Sequence, residues 1–161
     1  MTPLRLAVAD LLAHPGSRRA VEVVAEVEDL AGTGARVVGP VRLHLSLERI
    51  SEGIVVRGRV EARWRGECSR CLRELDGRLD VGVDELFEPG GVAGDTYPID
   101  GHEIDLEQLV RDALVLELPL VPHCSESCEP ALGPQDASFA PDPRWAALAD
   151  LRLEPPIREN Q

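Results

Sequence analysis

Four cysteines fall into two short-spaced pairs, Cys68-Ser-Arg-Cys71 and, far along the chain, Cys124-Ser-Glu-Ser-Cys128. Thiolates held this way commonly tie two distant segments to one metal ion, since two or three intervening residues let both sulfurs face a centre about 2.3 Å away. The C-x2-C pair is a strong half-site. The C-x3-C pair is looser, and Glu126 and His123 stand beside it as alternative ligands. The expected chemistry is a tetrahedral, structural zinc site held by Cys68, Cys71, Cys124 and Cys128. The competing reading is two pairs of reduced, metal-free thiols, as in many intracellular proteins. A thioredoxin-like redox role for Cys68 and Cys71 fits poorly, because that chemistry places C-x-x-C beside a βαβ pattern and here strands flank the pair.

Arg57, Arg59, Arg63 and Arg65 project from one face of a strand, with Glu61 between them. At roughly 6–7 Å for every two residues they could follow a phosphate backbone, which makes them the nucleic-acid-binding candidates. The alternative is a solvated face whose arginines pair across the sheet with Glu48, Asp76 or Asp80. Catalytic constellations are weak. His14, His44, His102 and His123 accompany no nucleophile elbow, phosphate loop or metalloprotease helix. Asp95, Asp100, Glu103 and Asp105 could suggest paired carboxylates or a cation site, but turn and helix-cap roles explain Asp100 and Asp105 better. No catalytic residue is expected, and the chain reads as a non-enzyme.

The elements that must position these groups follow from periodicity. Residues 54–68 alternate strictly, with Ile54, Val56, Val60, Ala62 and Trp64 on one side and the arginines on the other, which predicts a long half-buried strand. A second strand follows the cysteine turn, with Leu75, Leu79, Val81, Val83 and Phe87 on its apolar face. Val21–Val27 and Val41–Leu47 alternate in the same way, so four consecutive antiparallel strands are expected, curled into a sheet or partial barrel. Residues 4–13 suggest a short strand or a helical turn, and 88–104 a Gly-rich connection. One main packed helix begins at Asp105, with Gln108 at capping-box spacing, and buries Leu106, Leu109, Val110, Ala113 and Leu114. Pro119 and Pro122 stop it just before Cys124. Asp142-Pro143 predicts a short C-terminal helix carrying Trp145, Leu148 and Leu151, and residues 153–161 read as a flexible tail. The class is α+β, with a single domain over residues 1–152.

Composition narrows the function classes. The 161 residues carry a net charge of −12, and arginine supplies every basic side chain. Such acidity argues against a whole-molecule grip on nucleic acid and favours basic partners, or a local basic face on an acidic body. No membrane span or secretory leader is apparent, so a cytoplasmic protein is expected, with no membrane partner and no small-molecule substrate.

Several segments together resemble the YceD-type family, the large ribosomal RNA subunit accumulation proteins. They are Cys68-Ser-Arg-Cys71-Leu72, Asp84-Glu-Leu-Phe87-Glu, and Asp95-x-Tyr97-x-Ile99-x-Gly101-x-x-Ile104-Asp105-Leu106. The helix end Leu118-Pro-Leu-Val-Pro122-His-Cys124 and the run Asp142-Pro-Arg-Trp145-Ala-Ala-Leu148 complete the pattern over roughly 54–152. The resemblance implies a non-enzymatic ribosome-biogenesis factor supporting accumulation of large-subunit rRNA. Its implied partners are a basic large-subunit ribosomal protein, the rRNA precursor, or both. One common form of the family continues past the Cys128 position with Gly-Leu-Cys-Pro-x-Cys-Gly. Here Glu129-Pro-Ala-Leu-Gly-Pro-Gln-Asp136 brings no further thiol, leaving four for one closed site. The competing classes are a small zinc-dependent enzyme acting on RNA or nucleotides, which needs an open metal position, and a zinc-stabilised adaptor unrelated to ribosomes.

Overall fold

Strand β4 (Ile54–Glu67) is the axis of the molecule, hydrogen-bonded along its length to β3 (Ala35–Arg49) on one side and β5 (Glu74–Pro89) on the other. A computed structural model describes residues 4–92, 94–124, 128, 129 and 144. The chain divides into two compact units, Met1–Ala131 and Leu132–Gln161, and the fold lies in the first. The expected C-terminal helix over 142–151 and the tail fall outside the described residues, apart from the isolated Arg144.

With β2 (Arg18–Ala25), these strands form an antiparallel meander, β2-β3-β4-β5. The sheet as a whole is mixed, which corrects the all-antiparallel expectation. After β5 the Gly-rich segment brings the chain back, so that β6 (Tyr97–Asp100) pairs parallel to β5, and β7 (Glu103–Asp105) then pairs antiparallel to β6. The stretch expected to be a plain connection thus holds two strands too short to show alternation. Residues 4–13 supply both β1 (Arg5–Ala7), paired with β7, and the short helix α1 (Ala9–Ala13). The seven-stranded order is β1-β7-β6-β5-β4-β3-β2. The edge strands β1 and β2 are consecutive in the chain, linked through α1, and Arg19 on β2 donates to the Ala7 carbonyl of β1 at 2.7 Å. The sheet is therefore curled like a half-barrel.

Alternation decides what lies inside. Val23, Leu43, Leu45, Val56, Val60, Val83 and Phe87 face the concave side, where Leu106, Leu109, Val110 and Leu114 of helix α2 (Leu106–Glu117) meet them. No charged or polar residue is buried among the described residues, so hydrophobic burial carries this core. Asp105 caps α2 by accepting from the Glu107 amide at 2.9 Å. Gln108 does not close the expected box and instead donates to Asp112. No described helix is long and apolar enough to cross a membrane.

Candidate metal centre

The cysteine turn is built by β4 running out of partners. Cys68 follows directly on Glu67, donates its amide to the Arg73 carbonyl at 2.8 Å, and accepts from the Leu72 amide at 2.9 Å. Closing so tight a loop forces Leu72 to a φ of 58°, the left-handed region that non-glycine residues seldom occupy. Both thiols then point off the same knuckle.

The second pair arrives from the end of α2. Leu118 leaves the helix with extended backbone (φ −61°, ψ 133°), as expected of a residue preceding proline. The chain then crosses the sheet corner, where the Ser69 amide donates to the Pro122 carbonyl at 2.9 Å and Ser69 Oγ lies 3.1 Å from His123 Nδ1. Gly34 makes this crossing possible. A Cβ there would lie 2.6 Å from Pro122 Cδ and 2.7 Å from the Leu120 carbonyl oxygen, so any larger residue would push the segment away.

The four sulfurs, predicted from spacing alone, are brought together. Cys68 and Cys128 lie 3.8 Å apart, Cys71 and Cys124 3.6 Å, and all four Sγ atoms fall within 4.8 Å of one another. A tetrahedron with metal–sulfur bonds of about 2.3 Å has edges of about 3.8 Å, so the spacing fits one tetrahedral ion. It does not fit disulfides, which need about 2.05 Å, and all four thiols are free. Cys68 is buried and the other three are half-buried. The alternative ligands do not enter this cluster: His123 engages Ser69, and Glu126 lies outside the described residues.

Backbone amides and close-packed thiols act in opposite directions on the cluster. Backbone amides of Cys71, Arg70 and Cys124 converge on Cys68 and pull its thiol down to about 5. Desolvation, reinforced by the neighbouring thiols, pushes Cys128 up to about 12. A divalent cation bound among the four sulfurs would favour their thiolate forms.

The arginines of β4 divide into two sets. Arg57 Nε bonds Asp84 at 2.9 Å, with Glu48 at 3.8 Å from its other nitrogen, and Arg59 makes a two-point contact with Asp80 at 2.7 and 2.5 Å. Those two are therefore neutralised across the sheet. Arg65 pairs with Glu74 at 3.0 Å, while Arg63 has no ion pair with a described residue and stands directly opposite Arg78. His44 is an exposed side chain near Glu22, and Asp100 and Asp105 serve a turn and a helix cap.

Three comparisons bear on these residues. The family model for "Large ribosomal RNA subunit accumulation protein YceD" matches residues 56–152, a span that contains both cysteine pairs and most of β4. An uncharacterized protein of Mycobacterium tuberculosis and one of Mycobacterium bovis are each 40% identical over 126 residues, covering 68% of this chain and 60% of the relative. The match thus spans somewhat over half the length of those relatives. An uncharacterized protein of Mycobacterium leprae is 31% identical over 181 aligned positions, covering 99% of this chain and 82% of its own. No solved structure gives a significant match.

Proposed function

The chain belongs to the YceD family of large ribosomal RNA subunit accumulation proteins, and from that membership we propose that it is a cytoplasmic, non-enzymatic assembly factor for the large ribosomal subunit. It acts by binding, taking immature rRNA on a local basic face and a basic ribosomal protein on its acidic body. The observation that carries this reading is the family match over 56–152, because it covers the cysteine cluster and the arginine-bearing strand as one unit. A net charge of −12 supports it physically, since an acidic body can shield a basic ribosomal protein until RNA displaces it.

In this reading the four cysteines hold structural zinc. Cys68 and Cys71 come from the end of β4, and Cys124 and Cys128 from beyond α2, so one ion would staple the helix exit to the sheet corner. Four thiolates fill the tetrahedral shell and leave no position for a substrate or a reactive water, which favours the binding protein over a zinc enzyme. Metal analysis should find one zinc per chain, and X-ray absorption should find four sulfur neighbours. Three sulfurs and a light atom would support the enzyme instead. Affinity purification from cells at low salt, with RNA and protein both identified, should recover large-subunit rRNA precursors and large-subunit proteins. Recovery of no ribosomal component would overturn the assignment.

A further inference from the structure

We propose that RNA binds the cysteine end of the convex sheet face, on a site centred on Arg63 and Arg78 and extended by Arg36, rather than along all the arginines of β4. This rests on the reading above that the chain handles immature rRNA. Register carries the argument. Arg63 lies directly opposite Arg78, and one row further along Arg36 lies directly opposite Arg65. Like charges in directly opposed positions destabilise a sheet, and whereas Arg65 is relieved by Glu74 and by Asp76 directly opposite it on β5, the row of Val38, Arg63 and Arg78 contains no carboxylate. Carboxylates are abundant in this chain, and elsewhere on the same face they are placed to cancel arginine: Glu48 meets Arg18, Asp84 meets Arg57 and Asp80 meets Arg59. At the cysteine end Glu74 and the directly opposed Asp76 serve Arg65 and leave Arg63 and Arg78 facing each other. Arg36, Arg63 and Arg78 are exposed and make no ion pair with a described residue.

Shape agrees with charge. Two extra residues bulge β3 between Val38 and Arg42, with Gly39 at φ 71°, and β3 leaves the β4 ladder there. Beside the bulge lies a groove of about 780 Å³ lined by Arg42, Arg63 and Arg78, with Glu61 and Asp80 also in its lining and Asp80 held by Arg59. Guanidinium forks match phosphate oxygens two at a time, so a phosphate between Arg63 and Arg78 would turn their repulsion into shared binding. Arg36 stands one row, roughly 6–7 Å, further along the sheet, within reach of a second phosphate of a polyanion. Single-stranded RNA supplies that chemistry.

Titration of the full-length protein with labelled polyuridylate tests the site. Replacing Arg63 and Arg78 together by Ala should weaken binding roughly tenfold or more and reduce the log–log salt slope by about 1.4, at about 0.7 per lost contact. Replacing Arg57 and Arg59 together should cost less than about threefold, because their charge is already spent on Asp84 and Asp80. Arg78→Glu should raise the melting temperature of the free protein, by converting a repulsive pair to an attractive one, while abolishing RNA binding. A merely structural role would move both readouts the same way. An equal or larger loss on replacing Arg57 and Arg59 would overturn the site and leave the ribosomal reading standing. Competition by polyglutamate as effective as unlabelled polyuridylate would reassign the site to acidic protein. Absence of wild-type binding at low salt would also overturn it, and the affinity purification above would then decide the ribosomal reading separately.

Discussion

The two ends of β4 are built on different principles. At its start, Ile54 and Val56 are fully buried, Phe87 beside them is buried and stacks on Tyr97 at 5.0 Å, and Arg57 and Arg59 on the opposite face are cancelled by carboxylates. At its finish the inner face thins to Ala62, the half-buried Trp64 and Gly66, while arginine stands opposite arginine outside. One end is satisfied by the protein itself. The other gathers four sulfurs and sets Arg63 against Arg78, and it is here that the metal and the RNA are proposed to bind. On that proposal, stability and function separate along a single strand.

The largest test of that separation is Phe87→Ala. It should lower global stability by roughly 3–5 kcal/mol in denaturant titration, the usual cost of an aromatic removed from a packed core. A negligible change would mean that the apolar end is not the anchor. Next comes removal of metal from the cysteine end. An ion held at a hundred times its dissociation constant contributes about 2.7 kcal/mol, so chelation should cost about that much. Hydrogen exchange should rise over residues 66–74 and 118–124 and stay slow around Ile54 and Phe87. Uniform exchange would erase the distinction. Gly34→Val should loosen zinc without touching a thiol, by displacing the Leu120–Pro122 crossing.

A smaller effect belongs to the Tyr97 hydroxyl, which donates to Asp112 at 2.9 Å. Burial, then that hydrogen bond and the charge of Asp112, raise the phenol well above its ordinary value. A raised folded-state value means that its contribution is complete below about pH 10 and is lost as pH climbs through the folded value. Absorbance titration of this single tyrosine should show no ionisation near pH 10 in the native protein and normal ionisation in denaturant. Tyr97→Phe should cost about 1 kcal/mol. The smallest effect is the Arg57–Asp84 pair, for which a double-mutant cycle should return about 0.2–1 kcal/mol. A value near zero would still fit a solvated pair, whereas several kcal/mol would make the satisfied end electrostatic rather than apolar.

Much of the satisfied end was legible in the sequence. Alternation over residues 54–68 and 75–87, and the i, i+3, i+4 spacing in α2, record burial directly, because each side chain reports its own face. The cysteine pairs were legible as a cluster because thiol spacing constrains local geometry. What escaped were features set by partners distant in sequence. β6 and β7 are too short for a period, and only their pairing with β5 and β1 makes them strands. The bulge at Gly39-Pro40 shifts the β3–β4 register by two residues, so that the opposition of Arg36 and Arg65 could not be read from β4 alone. The same holds for Gly34, whose reason is a proline far along the chain.

The pairing of β1 with β7 sets an order of events during synthesis. β2 to β5 are joined by short connections and can pair as each emerges, since local contacts close little loop entropy. β1 and α1 are made first but must wait for a partner a hundred residues later, where Arg5 finally meets Asp105. Only after that does the segment carrying Cys124 and Cys128 follow. Among the described elements the sulfur cluster is therefore the last that synthesis can complete, and a filled site would mark a chain in which every strand of the sheet has already been made.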